Sequence, residues 1–171
     1  MTKRLSIIPL PNRNIAFFFI GAVWLTSLAF AGETGRNLGE GNLALEGYDP
    51  VSYFNDSGPE LGKADWQVTW ESAVYRFASE ENRDRFLKSP ERYGPAFGGW
   101  CAWAMREGDL VEVGPLSYRV FEGRLLLFYD GFWGDTRGKW VKLSEKLGEQ
   151  TLFDQSEAQW GKLSPVGEKY E

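Results

Sequence analysis

Two sulfurs stand four residues apart at Cys101 and Met105. On a helix that spacing puts both on one face, and a thiolate beside a thioether is the ligand type that selects Cu(I). The same pair is also ordinary core material. Free cysteine is among the most buried residue types and methionine fills irregular gaps, and Phe97, Trp100 and Trp103 stand close by in sequence. A third reading makes Cys101 a reactive thiol, activated by the N-terminus of a short helix over 100–107 and exposed by Gly98-Gly99. A disulfide cycle would then need a second protein, because the chain holds one cysteine. Gly98-Gly99 has its own alternative, a close approach of backbone.

Other chemistry is excluded by residue type. The chain has no histidine, so Ser-His-Asp triads, Cys-His pairs and histidine-rich zinc or di-iron sites cannot be built. One thiol closes no disulfide and no zinc cage. The 19 Lys and Arg fall short of the 24 Asp and Glu, which argues against nucleic acid as a partner. Gly134-Asp135-Thr136-Arg137-Gly138-Lys139-Trp140 is one residue short of a phosphate loop and places Trp140 where a hydroxyl should bind magnesium, so it reads as a loop entering a helix. The acids Glu80, Glu81 and Asp84 read as the solvated start of a helix rather than a hard-metal cluster.

The N-terminus carries an export address. Lys3, Arg4 and Arg13 precede the apolar run from Ile15 to Phe30, which closes on Ala29-Phe30-Ala31. Basic, apolar and small-residue regions in that order predict a signal peptide over 1–31. The apolar run is shorter than the roughly 20 residues a spanning helix needs, so no stable membrane anchor is expected after cleavage. The expected product has 16 basic against 24 acidic residues, a formal charge of −8, and is periplasmic. Its 140 residues can bury roughly two thirds of their unfolded surface in one core.

Local patterns then place the elements. Residues 32–43, with Gly32, Gly35, Gly39 and Gly41, lack a hydrophobic period and read as a flexible lead-in. Trp66, Val68 and Trp70 alternate, and Val74, Tyr75 and Phe77 resume after a turn, predicting a hairpin. Ser79 caps a helix over 80–88 that Pro90 stops. A second hairpin is expected from Tyr118–Phe121, a Glu122-Gly123 turn and Arg124–Tyr129, and its last strand, apolar on both faces, should be central. Trp140, Leu143 and Leu147 recur at helical spacing, and a last helix around Ser156–Leu163 presents Trp160. The fold class expected is α+β, a small domain of β-hairpins packed with short helices over 44–163, with 164–171 a C-terminal tail.

Four strings in order, Gly47-Tyr48-Asp49-Pro50-Val51-Ser52-Tyr53-Phe54, Tyr75 to Phe86, Pro90-Glu91-Arg92-Tyr93 and Gly98-Gly99-Trp100-Cys101-Ala102, resemble the exported bacterial branch of YHS-domain proteins. The likeness extends over 44–163. In cysteine-bearing members it implies a metal held by cysteines of Asp-Pro-Val-Cys and Phe-Cys-Ser-x-x-Cys. Laid on those motifs, the cysteine positions here hold Ser52, Ala78 and Asn82, and an alanine or an amide does not replace a thiolate for a soft metal. The resemblance further implies that the motifs of Tyr48, Asp49, Tyr53 and Tyr75 approach the first hairpin from opposite sides. These four, with Trp100 and Cys101, are the candidate ligand-binding residues.

The tryptophans Trp66, Trp70, Trp100, Trp103, Trp133, Trp140 and Trp160 either line a pocket for a flat or apolar ligand or form the core of a small domain. The leading expectation is an exported, non-catalytic YHS-type binding or accessory protein with a degenerate metal site and an unidentified small ligand. The alternatives are a periplasmic copper-handling or thiol redox protein acting through Cys101 with Met105, and a structural partner of an envelope protein complex.

Overall fold

The computed structural model describes residues 35–163. The expected signal peptide over 1–31 and the tail over 164–171 lie outside the described residues. No helix among the described residues is long and apolar enough to cross a membrane.

Strands β1 (Lys63–Trp70) and β2 (Ala73–Phe77) form the first expected hairpin, antiparallel with Val68 opposite Tyr75. Its tip is Glu71-Ser72, both with positive φ, the backbone twist that matches the right-handed twist of paired strands. Strand β2 alternates strictly, and Ala73, Tyr75 and Phe77 point into a core that also holds Phe86 of α1 (Glu80–Lys88). Helix α1 begins where expected because the Ser79 hydroxyl accepts the Asn82 N–H at 3.2 Å. Pro90 opens the single turn α2 (Pro90–Tyr93), where its fixed φ and missing N–H cost nothing.

Helix α3 (Ala102–Met105) is shorter than the expected 100–107. Cys101 is drawn out of it: its N–H donates to Val111 O at 3.0 Å and its backbone bridges Leu127. The second hairpin pairs β3 (Gly114–Phe121) with β4 (Arg124–Phe128) around Glu122-Gly123. Strand β4 is buried on both faces, as its apolar run predicts, but it is not the central strand expected: its sheet has two strands among the described residues. Isolated bridges to Pro95 and Cys101 occupy its other edge.

Because successive side chains of a strand face opposite ways, β4 supplies two cores. Leu125 and Leu127 join the hairpin core with Tyr53, Tyr75, Phe77 and Phe86, whereas Leu126 and Phe128 join a second core with Met105, Trp140, Leu152 and Trp160. The two-residue strands β5 (Asp130–Gly131) and β6 (Gly134–Asp135) form a small hairpin that leads into α4 (Thr136–Leu147). Asp135 caps α4 by accepting the Arg137 N–H at 2.8 Å, which accounts for the phosphate-loop likeness at 134–140 as a helix entry. Gly148, at φ +83, breaks the chain between α4 and α5 (Glu149–Leu163). The last helix therefore starts well before the expected Ser156. The architecture is α+β, short antiparallel hairpins packed with helices.

The expectation for the lead-in is also corrected. Residues 35–43, read as part of a flexible lead-in, form a strap tied across the domain. Trp100 Nε1–H donates to Gly35 O at 2.6 Å, Asn37 N–H to Gly98 O at 2.9 Å, and the Asn37 amide to Gly99 O at 3.2 Å. Arg36 pairs with Glu71 and lies over the Trp70 ring at 5.3 Å from its centroid. The lack of periodicity was real; the ordering comes from partners roughly 35 to 65 residues away in the chain.

Candidate functional site

Asp49 organises the turn that follows Tyr48. Its side chain is completely buried and accepts three N–H bonds. Oδ1 takes the Val51 N–H at 2.8 Å, and Oδ2 takes the Ala78 N–H at 2.9 Å and the Asn82 amide at 2.7 Å. A carboxylate removed from water needs such donors, and charge-assisted bonds are the strong ones. Ser52 completes the cluster from the backbone side, its hydroxyl donating to Asp49 O at 2.6 Å and accepting the Glu60 N–H at 2.8 Å. Ser52, Ala78 and Asn82, the three positions where the motif likeness would put cysteines, thus meet around one residue, Ser52 at the backbone carbonyl of Asp49 and the other two at its carboxylate. No thiolate is among them, and hydrogen bonds hold the arrangement together.

Tyr53, from the same turn, is buried and donates its hydroxyl hydrogen to Pro115 O at 3.0 Å. Burial foremost, then Tyr48 and Glu46, push its ionisation far above the ordinary tyrosine range. Tyr48 is half-buried against the same core and bridges Leu61.

Cys101 is fully buried. Its sulfur accepts the Tyr129 N–H at 3.3 Å and lies 3.3 Å from Thr136 Oγ1. Because the Thr136 hydroxyl hydrogen goes to Tyr129 O at 3.1 Å, the thiol hydrogen is the one left to point at Thr136. Met105, also fully buried, packs in the second core among Trp140, Leu152 and Phe153. Among the described residues, no group of three or more cysteine, aspartate or glutamate side chains is placed to hold a metal ion. The structure therefore puts both sulfurs to work in packing and hydrogen bonding.

A partly enclosed concave feature lies elsewhere, under the strap. A cavity of about 190 Å³ opens between residues 36–39 and 43–46 on one side and Tyr75, Pro95, Gly98, Gly99, Val113 and Leu127 on the other. Of the six candidate ligand-binding residues only Tyr75 lines it. Trp100 contributes indirectly, by pinning the strap at Gly35, while Asp49, Tyr53 and Cys101 hold the frame.

Backbone strain collects on both walls. Leu45 and Glu46 have φ of +55 and +51, and Phe97, Gly98 and Gly99 have +55, +60 and +85. For residues with a Cβ such values cost about 1–3 kcal/mol each and persist only where surrounding packing enforces them. At Gly98 a Cβ would meet the Trp160 ring at 2.8 Å and Arg36 Cα at 3.3 Å. The double glycine is the close backbone approach considered from sequence.

No family model, curated protein or solved structure matches this chain. The site comprises a hydrogen-bonded turn around Asp49, a buried thiol at Cys101 and a small strapped cavity beside Tyr75.

Sequence reading missed the strap residues Arg36, Asn37 and Leu38 and the mouth residues Glu46 and Glu112. One signal was available for the strap, since Leu38, Leu43, Ala44 and Leu45 are more apolar than a free linker needs. Nothing local connected them to Gly98 or Trp100.

Proposed function

We propose that this chain is an exported YHS-type binding protein that uses the cavity under its strap to hold a small ligand. The motif order over 44–163 and the basic-then-apolar N-terminus support the family and the periplasmic address. One observation carries the function: a partly enclosed space of about 190 Å³, lined by Leu43, Tyr75 and Leu127 and bounded on two sides by strained backbone. A cavity of roughly 150 Å³ with apolar walls is known to admit benzene, so the volume suits a ligand of about that size or slightly larger. In this reading the Asp49 cluster is scaffold, a former metal frame held by hydrogen bonds.

The test is ligand-induced stabilisation. A ligand that binds only the folded state raises the unfolding midpoint by mass action. Benzene-sized probes at millimolar concentration should raise the melting temperature of the purified protein, and Ala44→Leu, which fills the cavity from its wall, should abolish the rise. If no such probe shifts the transition, the binding function is wrong.

A second reading, as the structural partner of an envelope protein, has one feature in its favour. Phe132 and Trp133, at the tip between β5 and β6, are 89% and 80% exposed and stack edge-to-face with centroids 4.9 Å apart. An exposed aromatic pair is a common anchor at interfaces. In that case Phe132→Ser with Trp133→Ser should abolish complex formation in the native envelope while leaving probe binding untouched.

A further inference from the structure

The mouth of the cavity has an unbalanced charge. Glu46 and Glu112 both line it and both are exposed, and neither side chain makes a described ion pair or hydrogen bond among the described residues. The one cation in the lining, Arg36, is committed elsewhere: its guanidinium pairs with Glu71, lies over Trp70, and leaves its side chain 7% exposed. The buried Tyr75 and Leu127 and the partly buried Leu38 and Leu43 supply the apolar part of the walls. A partly apolar cavity, with the Asn37 amide and the Gly98-Gly99 backbone also in its walls, thus opens past two carboxylates that are unpaired among the described residues.

We infer that the cavity selects a monocationic amphiphile, an ammonium group carried on an apolar body of about benzene size. This rests on the binding function proposed above and names the class of ligand. The body fills the space beside Tyr75 and Leu127, where burial of apolar surface drives binding. The ammonium group stays at the mouth, within the field of Glu46 and Glu112. A carboxylate on the same body would meet two like charges there, and the one cation in the lining, Arg36, is held by Glu71. A neutral group would gain the burial and nothing at the rim. Because both acids keep contact with water, the preference is a modest one of the kind exposed ion pairs give, about three- to tenfold, and it weakens with salt.

Three probes share one apolar body and differ in charge: benzylamine, benzyl alcohol and benzoate. Their affinities for the purified protein, measured by titration calorimetry at low ionic strength, should fall in that order, with benzylamine about three- to tenfold tighter than benzyl alcohol. Glu46→Gln with Glu112→Gln should bring benzylamine down to the level of benzyl alcohol and leave benzyl alcohol unchanged. Raised salt should narrow the same gap. Equal affinity for all three, or a preference for benzoate, with binding lost in Ala44→Leu or Val113→Phe, would overturn the cation selectivity and keep the cavity as a binding site. Failure of all three to bind protein that circular dichroism shows to be folded would overturn the binding function itself.

Discussion

The carboxylate of Asp49 accepts the side-chain amide of Asn82 at 2.7 Å across 33 residues of sequence. That bond, with the Ala78 N–H beside it, fastens the turn after Tyr48 to the start of α1. The turn in turn places Tyr53 against Pro115 of β3. A single buried acid therefore aligns three separate stretches of chain.

Asp49→Asn tests this directly. The replacement amide keeps the shape but must turn an NH₂ toward one of the donors, leaving buried groups mismatched. A loss of about 2–4 kcal/mol in unfolding free energy is expected, read from urea denaturation. Asn82→Ala should cost less, about 1–2 kcal/mol, because the Val51 and Ala78 N–H groups remain on the carboxylate. Equal losses in the two variants would show that the Asp49 cluster does not act as described.

The strap makes its own prediction. Gly98→Ala places a methyl group against Trp160 and the Arg36 backbone in a left-handed conformation. Destabilisation of about 1–3 kcal/mol is expected. Hydrogen exchange should show residues 36–44 losing protection in this variant more than β4 does. Uniform loss over the whole domain would mean that the strap is no separate unit.

Cys101 should be inert while the protein is folded. A thiol reagent added to the native protein should find no reactive group, and the same reagent in denaturant should label one equivalent, since the chain has one cysteine. Cys101→Ser, which can reproduce both contacts of the sulfur, should leave probe binding intact. Rapid labelling of the native state, or stoichiometric Cu(I) bound to wild type and absent from Cys101→Ser, would restore the thiol or copper readings.

Acid sensitivity should trace in part to Glu149. Burial alone would raise its ionisation, but the paired bonds from Arg119 at 2.8 and 2.9 Å, and a further one from Trp140 Nε1–H at 2.8 Å, outweigh burial and hold the carboxyl below its ordinary value of 4.5. A depressed value means stability that is present above the unfolded pKa and is lost as pH falls toward the folded one. Between pH 5 and pH 3 the wild type should therefore lose more stability than Glu149→Gln, as thermal unfolding at matched ionic strength would reveal. Parallel losses would remove Glu149 from the account.

Export can be checked at the N-terminus. Protein recovered from the periplasm of an expressing bacterium should begin at Gly32, the residue after Ala29-Phe30-Ala31. Recovery of the intact N-terminus in the membrane fraction would replace the signal peptide with an anchor.

What the sequence determined by itself is the local grammar. Alternation at Trp66, Val68 and Trp70 marked β1, the Ser79 cap and Pro90 bounded α1, and the apolar run 125–128 announced a strand buried on both faces. Each of these follows from forces acting within a few residues: side-chain period, satisfaction of a helix end, or a missing N–H. The tertiary structure decided the rest. It turned a glycine-rich stretch into a strap because Trp100, Gly98 and Glu71 supply the partners that the segment lacks locally. It brought Ala78 and Asn82 to the Asp49 carboxylate and Ser52 to the Asp49 backbone carbonyl. It closed Cys101 behind Tyr129 and Thr136, and opened a cavity beside Tyr75 rather than beside Tyr48 and Tyr53. Those outcomes depend on contacts between residues far apart in the chain, and a spacing pattern carries no record of which distant backbone will pass beside it.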